Sequence, residues 1–152
     1  MLLLLCGIDY FKQINDVHGH LGGDEVLEGV STRLRNAVRA HDAVGRYGGE
    51  EFLIILNRCA GDGLATRAEK VRKAISHFPF SAINGPIPVS LSVGAIAIEN
   101  WDKSLPLEPY LKRADDALYR AKAAGRDQGA YAELSSKIRS DAVPVSQSQP
   151  LQ

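Results

Sequence analysis

The sequence predicts an α/β (α+β) domain, from its pattern of apolar residues, its composition and its length. Strand-like and helical segments follow one another in the order strand, helix, hairpin, helix, strand, helix. The chain has 152 residues, of which 45% are hydrophobic and 24% charged, as is ordinary for a globular protein. A chain of this length forms one domain with a core of its own.

The first element is a strand that contains a run of four leucines at positions 2–5. Such a run needs cover on both faces, so we expect a strand buried within the sheet. The apolar stretch is shorter than the core of a signal peptide and follows no basic residue, so it predicts no export. Because a strand is the first feature, we expect the sequence to be cut from a longer protein.

The first helix is predicted from about residue 24 to residue 39, with Asp24 as the cap of its first turn. The prediction rests on apolar residues spaced three and four positions apart. These residues are Val26, Leu27, Val30, Leu34 and Val38.

A β-hairpin is predicted next, with strands at 43–47 and 52–56 and Gly48-Gly49 as its two-residue turn. The tip then carries Glu50 and Glu51 away from the core. A turn without side chains lets a bulky anion approach the backbone, and a carboxylate beside it can hold the cation that the anion brings. An ordinary surface hairpin with two solvated glutamates is the alternative.

Three further elements and a tail complete the chain. Residues 89–97 alternate as a strand, and Gly125 ends the last helix. After Tyr131 the composition turns to Ser, Gln and Pro, so a disordered tail is expected. The two helices are marked by Leu64, Ala68, Val71 and Ile75, and by Leu111, Ala114, Leu118 and Ala121.

Charge and cysteine content exclude some functions. Eighteen basic and eighteen acidic residues give a net charge of zero, which argues against a nucleic acid polymer as partner. A single nucleotide needs only a few local cations. Cys6 and Cys59 have no short metal-ligand spacing, so they are expected to be reduced thiols in a cytoplasmic protein.

A second group of polar residues precedes the predicted helix. Asn15 and Asp24 flank a glycine-bearing segment and could match the donor and acceptor edge of guanine, with Lys12 placed for phosphate. The alternative is that Asn15 and Asp16 shape a turn and that Asp24 only caps the helix.

Several motifs occur together in order along the chain. The hairpin reads Gly48-Gly49-Glu50-Glu51-Phe52, preceded by Phe-Lys-Gln-Ile-Asn-Asp at 11–16 and by Gly-His-Leu-Gly-Gly-Asp-Glu-Val-Leu at 19–27. The last helix holds Arg-Ala-Asp at 113–115, Ala-Leu-Tyr at 117–119, Ala-Lys at 121–122 and Gly-Arg at 125–126. Over roughly residues 2–131 the chain resembles the GGDEF domain family in its GGEEF variant. These are diguanylate cyclases, which join two GTP molecules into cyclic di-GMP.

The resemblance implies a ferredoxin-like domain, related to the palm of polymerases and to nucleotidyl cyclases. Its antiparallel-rich sheet would be packed by helices, with the active hairpin at the rim. Residues 1–131 would form the GGDEF domain and 132–152 a disordered tail. Family members begin with a helical segment that has no counterpart here, so we expect exposed apolar surface and self-association.

The resemblance also assigns roles to single residues. In similar proteins the guanine is held by residues matching Asn15 and Asp24. Glu50 and the backbone of Ile8 match metal ligands for Mg²⁺ or Mn²⁺, and Glu51 matches a catalytic carboxylate. The groups matching those around the triphosphate are Phe11, Lys12, Gly48, Gly49, Lys122 and Arg126.

The reaction so implied is attack of the ribose 3′ hydroxyl of one GTP on the α-phosphorus of another, with loss of pyrophosphate. Each subunit holds one GTP, so a homodimer is expected. An upstream sensory domain in the full-length protein is expected too, with no membrane contact by this fragment.

One departure from the family pattern concerns the metal site. The family usually has Asp-x-Asp in the first strand, but this chain reads Gly7-Ile8-Asp9, so the first carboxylate is missing. Asp9 is two residues further along, about 7 Å away on the same face, too far to replace a ligand at ~2.0 to 2.6 Å. We therefore expect feeble or absent cyclase activity.

Arg39 and Asp42 match the family's Arg-x-x-Asp inhibitory site for cyclic di-GMP. An arginine fork can bind guanine O6 and N7 while an aspartate accepts from the N1 and N2 edge. The alternative is an ion pair that closes a helix. Three functions stay open: an active cyclase, a receptor for GTP or cyclic di-GMP without turnover, and a silent dimerisation module.

Overall fold

A computed structural model describes residues 1–101, 104 and 106–132 of the chain. Its main sheet has five strands in the order β2-β3-β1-β6-β7, and a separate hairpin is formed by β4 and β5. β1 pairs antiparallel with β3 on one side and with β6 on the other, while β7 runs parallel to β6. The mixed α/β architecture predicted from the sequence is confirmed. The strands are β1 (Leu2–Ile8), β2 (Ala43–Gly48), β3 (Glu51–Leu56), β4 (Phe80–Ala82), β5 (Gly85–Ile87), β6 (Leu91–Ala97) and β7 (Gly129–Ala132).

The central strand β1 is buried along its whole length, as the leucine run predicts. Because side chains alternate between the faces of a strand, its leucines divide between two cores. Leu2 and Leu4 lie in the core under helices α1 (Phe11–Ala37) and α2 (Leu64–Ser76). Leu3 and Leu5 lie in the core under helix α3 (Glu108–Ala123).

The strand β1 also has a direction that matters for the site. At its start, the Met1 amino group donates to the carbonyl of Ile98 at 2.9 Å. At its far end, the Ile8 N–H donates to the Glu50 carbonyl at 3.1 Å, beside the turn between β2 and β3. The end of β1 therefore carries residues 7–9 to the rim of the sheet.

The predicted start of the first helix was wrong by 13 residues, because α1 begins at Phe11 and not near Asp24. Asp24 lies inside the helix, so the alternative role as a helix cap is excluded. A break at Gly19, with φ 75° and ψ 171°, separates a short first segment from the long second one. Only glycine takes this backbone conformation without strain.

The hairpin prediction was correct in its strands but wrong by one residue in its turn. Gly48 is the last residue of β2 and pairs with Glu51, so the turn residues are Gly49 and Glu50. The register shifts between Arg46 and Gly48, which is a bulge at Tyr47. Gly49 has φ 50° and meets the need of the turn for a left-handed residue.

The two later helices and the strand between them are confirmed. Helix α3 lies against β6 so closely that a Cβ on Gly94 would be 2.1 Å from the Ala114 carbonyl oxygen. The short strands β4, β5 and β7 were not predicted. Apart from Ala132, which ends β7, the predicted tail lies outside the described residues.

None of the helices in the described ranges has the length and apolar character needed to cross a bilayer.

Candidate nucleotide site

A cleft of about 350 Å³ lies between α1 and the β2–β3 hairpin. Arg46 lines it and braces the turn, because its Nε donates to the Gly49 carbonyl at 2.8 Å. Asp24 presents an exposed carboxylate on the helical wall. The cleft is lined by Asp24, Leu27, Glu28, Ser31, Arg46 and Phe52. It therefore joins a predicted guanine contact to the glycine turn.

Asn15, in the first segment of α1, lies against the backbone of Gly23 in the second segment. A Cβ on Gly23 would be 1.8 Å from the Asn15 Oδ1, so the bare backbone of Gly23 makes room for the amide. The Gly19 break brings the two segments of α1 together there. Asn15 and Asp24 thus lie near each other, although they belong to different segments of α1.

The N-terminus of α1 faces the rim of the sheet directly after β1. No side chain among the described residues caps it, so its first backbone N–H groups remain available to an anion. Phe11 packs against the core and Lys12 is exposed on the first turn. This arrangement is suited to phosphate binding.

Gly7, Glu51 and Lys122 form one cluster at the rim. Gly7 pairs directly with Glu51 across β1 and β3. The Lys122 Nζ from α3 lies 3.5 Å from the Glu51 Oε1, and both side chains are about three-quarters buried, with 28% and 29% exposure. The Lys122 side chain covers Gly7, because a Cβ on Gly7 would be 2.9 Å from the Lys122 Cε.

Asp9 is buried, and three hydrogen bonds engage its carboxylate. It accepts from the hydroxyls of Ser90 and Ser92 at 2.7 Å each, and from the backbone N–H of Asp127 at 3.0 Å. The residue is only 3% exposed. The Asp9 carboxylate therefore ties the end of β1 to β6 and to the segment after α3, and does not point to the rim as a free ligand.

Arg126 lies on a tightly turned segment beside the site. Gly125, Arg126 and Asp127 all have positive φ, of 120°, 66° and 44°. The Arg126 guanidinium stacks over the Tyr10 ring at 4.6 Å, and Tyr10 itself is left-handed with φ 53°. The segment is anchored by the Asp9 contact to Asp127, so Arg126 is held next to the N-terminus of α1.

Helix α2 also holds this segment. Arg72 forms an ion pair with Asp127 and a bidentate pair with Glu69 at 2.8 Å for both bonds. The hydrogen bonds from Arg72 lower the pKa of the Glu69 carboxyl below its usual value. The Ser76 hydroxyl donates to Asp127 at 2.8 Å.

Arg39 and Asp42 lie in the turn between α1 and β2, at the opposite end of the hairpin strands from Gly49. The Asp42 side chain is only 3% exposed. Its carboxylate accepts from the backbone N–H groups of Arg39 at 3.0 Å and of Asn57 at 2.8 Å. Arg39 is exposed, and Asp42 engages its backbone N–H rather than its guanidinium, which differs from the ion pair given as the alternative. Asp42 orders the turn that presents Arg39.

The fit of these residues to divalent metal ions is limited. In residues 1–101, 104 and 106–132, no three His, Cys, Asp or Glu side chains come together as a metal-binding group. Gly7 offers no side chain, Asp9 is engaged, and Glu51 is paired with Lys122. The remaining candidate ligands are the Glu50 carboxylate in the turn and the backbone of Ile8. An ion held there would take its other ligands from oxygens of the substrate.

The structure adds three functional candidates that the sequence analysis did not select. Arg46 lies two residues before the hairpin motif, and its basic side chain near the two glycines was the available signal. Ser90 and Ser92 gave no sequence signal, because their role depends on the pairing of β6 with β1. Most of the residues predicted from the sequence lie near the rim, at the end of β1, along α1, in the hairpin turn and at the end of α3. Arg39 and Asp42 lie in a separate turn, away from the rim.

An α/β domain with a glycine turn, a cleft of about 350 Å³ and an uncapped helix N-terminus is suited to binding a nucleotide. Residues 1–128 match the family model described as diguanylate cyclase, GGDEF domain. The chain therefore belongs to the GGDEF family, and the family and fold predicted from the sequence are confirmed.

Relatives and solved structures agree with this assignment. The chain is 41% identical over 128 residues to diguanylate cyclase DgcP of Pseudomonas aeruginosa, covering 84% of this chain and 19% of that protein. The active GGEEF domain of a diguanylate cyclase from Vibrio cholerae has a TM-score of 0.76 and 31% identity, covering 88% of this chain and 83% of that one. The GGDEF domain of DgcB from Caulobacter crescentus, in complex with c-di-GMP, has a TM-score of 0.76 and 30% identity, covering 86% and 76%. The chain thus spans about a fifth of the length of DgcP.

Proposed function

We propose that this GGDEF domain binds guanine nucleotides in the cleft beside the hairpin and forms cyclic di-GMP slowly or not at all. The observation that carries the proposal is that β1 brings no available carboxylate to the rim. Gly7 has no side chain, and the Asp9 carboxylate is held by Ser90, Ser92 and the Asp127 N–H. Binding groups are thus retained while the metal-binding strand is incomplete.

The binding part of the proposal rests on the cleft and on the end of α1. Asn15 and Asp24 supply an amide and a carboxylate for the guanine edge. The α1 N-terminus with Lys12, and the Gly49 turn, receive the phosphates. Arg126, stacked on Tyr10, adds a cation at the same rim.

The chemical part concerns the 3′ hydroxyl of one GTP, which attacks the α-phosphorus of a second while pyrophosphate leaves. Members of this family normally use a divalent metal ion, which stabilises the charge on the transferred phosphate. Glu50 and the Ile8 backbone are the groups we assign to such an ion, Mg²⁺ or Mn²⁺. Glu51, the other proposed catalytic carboxylate, is neutralised by Lys122.

The remaining assignments follow from the same site. Because each subunit holds one GTP, the two substrates must meet in a homodimer. We place the domain in the cytoplasm, where GTP is available and where a buried thiol such as Cys6 stays reduced. The relatives' greater length supports an upstream sensory or regulatory domain in the whole protein.

The test is GTP turnover by the chain beside Gly7→Asp and Gly7→Asn. The Lys122 tip that covers Gly7 is the end of a flexible side chain, so both substitutions fit after a small shift. At an effective dielectric near 20, one carboxylate near a divalent ion contributes roughly 3 to 4 kcal/mol, or ~10² to 10³ in rate. We expect this gain in Gly7→Asp and not in the uncharged Gly7→Asn. Equal robust turnover in the unmodified chain and Gly7→Asp would show that the missing carboxylate is not limiting.

Cyclic di-GMP binding at the Arg39 turn is a second candidate function. It is favoured by the exposed Arg39 on a turn that Asp42 holds in place. We expect Arg39→Ala to abolish cyclic di-GMP binding in calorimetric titration, because the fork to guanine is lost. Arg35→Ala removes another exposed arginine from the end of α1 and is the control. Equal loss in both variants would point to a non-specific charge effect.

A further inference from the structure

The Lys122 side chain occupies the space that a side chain at position 7 would need. A Cβ on Gly7 would be 3.0 Å from the Lys122 Nζ and 3.7 Å from the Leu118 Cδ2. Lys122 is positioned by α3, which packs against β1 and β6. The ammonium group therefore lies over β1 at the rim, next to the residue directly opposite Gly7, which is Glu51.

The charges at this point balance without a metal ion. An aspartate at position 7 would stand directly across from Glu51, and like charges at paired positions repel unless a cation lies between them. With Gly7, one carboxylate faces one ammonium at 3.5 Å in a site about three-quarters buried. Two carboxylates facing each other would attract a divalent ion. Because position 7 is glycine and Lys122 already balances Glu51, that pair of carboxylates does not form here.

The ammonium can also serve a phosphate. A lysine has three N–H donors, and one of them suffices for Glu51. The Lys122 side chain keeps 28% exposure. The uncapped α1 N-terminus and the stacked Arg126 face the same rim, so a polyphosphate would find three cationic or donor groups from separate elements.

We propose that Lys122 takes the place of a divalent ion at this rim, so that the chain binds the triphosphate of GTP without magnesium. This inference rests on the proposed guanine-nucleotide binding and deepens it. Aspartate at position 7 restores the acidic pair and makes binding depend on the metal.

The experiment is a calorimetric titration of GTP into the full 152-residue chain, with EDTA and then with Mg²⁺. In the unmodified chain we expect the two dissociation constants to agree within about threefold. Lys122→Met should weaken binding in EDTA by roughly tenfold or more, the scale of one hydrogen bond to a charged group. Gly7→Asp should bind weakly in EDTA and regain affinity with Mg²⁺. Lys112→Met, on the exposed face of the same helix, is the matched control and should change neither value.

Different results would contradict the role of Lys122 and the proposed binding of guanine nucleotides. GTP binding that needs Mg²⁺ in the unmodified chain, and that is as tight in Lys122→Met, overturns the role of Lys122 and leaves guanine-nucleotide binding intact. Failure of the folded, unmodified chain to bind GTP under either condition overturns the proposed function and this inference with it. Circular dichroism of each variant shows whether it is folded.

Discussion

Gly23, which directly precedes Asp24, is the residue that makes room for the Asn15 amide. Its backbone is so close to the amide that an added Cβ would overlap the Asn15 Oδ1 at 1.8 Å. The obstructing atom belongs to a side chain and not to the backbone, so the amide can turn away while the helix persists. A small change at Gly23 should therefore alter binding more than stability.

We predict that Gly23→Ala weakens GTP binding by roughly tenfold, because the displaced Asn15 loses its hydrogen bond to guanine. The melting temperature should change little, since alanine also favours the helix. Titration with GTP and thermal unfolding measure the two effects. Gly63→Ala, where an added Cβ meets nothing within 4 Å, is the control. A drop in stability with unchanged affinity would contradict the role given to Asn15.

Among the elements, α3 and β6 make the closest contact through a glycine. A Cβ on Gly94 would be 2.1 Å from the Ala114 carbonyl oxygen and 2.3 Å from the Leu118 backbone nitrogen. Both are main-chain atoms, which cannot turn aside. The helix would have to move away from the sheet.

We predict that Gly94→Ala destabilises the domain by about 3 kcal/mol, the upper part of the range for overpacked cores. Gly45→Ala on the exposed strand β2 meets no atom within 4 Å and should change the free energy of unfolding by less than about 0.5 kcal/mol. Urea unfolding of both variants compares them directly. Equal stability would mean that α3 adjusts freely over β6.

The contact of α2 with the segment after α3 gives a further prediction. Arg72→Met removes the pairs to Glu69 and Asp127 and should lower the stability at neutral pH by about 1 kcal/mol. GTP affinity should fall as well, because the segment that carries Arg126 loosens. Lys73→Met, which loses only a 3.6 Å contact of an exposed lysine, is the control.

The pH dependence of this variant follows from the lowered pKa of Glu69. A carboxyl whose folded pKa is depressed adds stability above its unfolded pKa, about 4.3, and loses it as the pH falls through the folded value. The stability difference between the unmodified chain and Arg72→Met should therefore shrink below about pH 4. Denaturant titrations at several pH values measure it. A difference that is constant with pH would show that the ion pair contributes nothing.

The elements that sequence reasoning found are those with a local apolar pattern. The leucines of β1 and the periods of α2 and α3 are readable because burial repeats along the chain itself. The first segment of α1 was missed because only Ile14 among its residues up to Gly19 is buried, which leaves no period to detect. Strand β7, with the sequence Gly-Ala-Tyr-Ala, exists through its pairing with β6, a contact distant in sequence.

The candidate site was predictable where a motif fixes the residue type, as at Asn15, Asp24 and Glu50. The turn residue was misplaced by one because the bulge at Tyr47 shifts the pairing, and a bulge has no sequence signature here. The position of Lys122 over Gly7 could not be predicted. It depends on the angle at which α3 crosses β1, which only the packed core determines.

At the scale of the whole molecule, several large apolar side chains remain exposed. Val17 and Leu21 on α1 and Ile83 between β4 and β5 are 75%, 78% and 84% exposed, and Phe78 is 66% exposed. A contiguous apolar patch on a surface favours association between copies, and we expect these residues to contribute to one. The homodimer expected from the two-substrate reaction needs such association.

We predict that light scattering after size exclusion shows a monomer–dimer equilibrium that shifts to dimer as the protein concentration rises. Any cyclase rate should then increase more steeply than in proportion to the protein concentration, because two loaded subunits must meet. A monodisperse monomer at high concentration would contradict the dimer. A cyclase rate strictly proportional to protein concentration would argue against active sites shared between copies.

The direction of β1 has a mechanical consequence for control of the domain. The strand enters the sheet at Leu2 and reaches the nucleotide rim at Ile8, a run of about 20 Å at roughly 3.3 Å per residue. A regulatory module fused ahead of Leu2 would therefore be attached at the end of β1 remote from the candidate site, with the centre of the sheet in between. We expect such a module to act by reorienting the whole domain relative to a second copy, and not by contributing groups to the site.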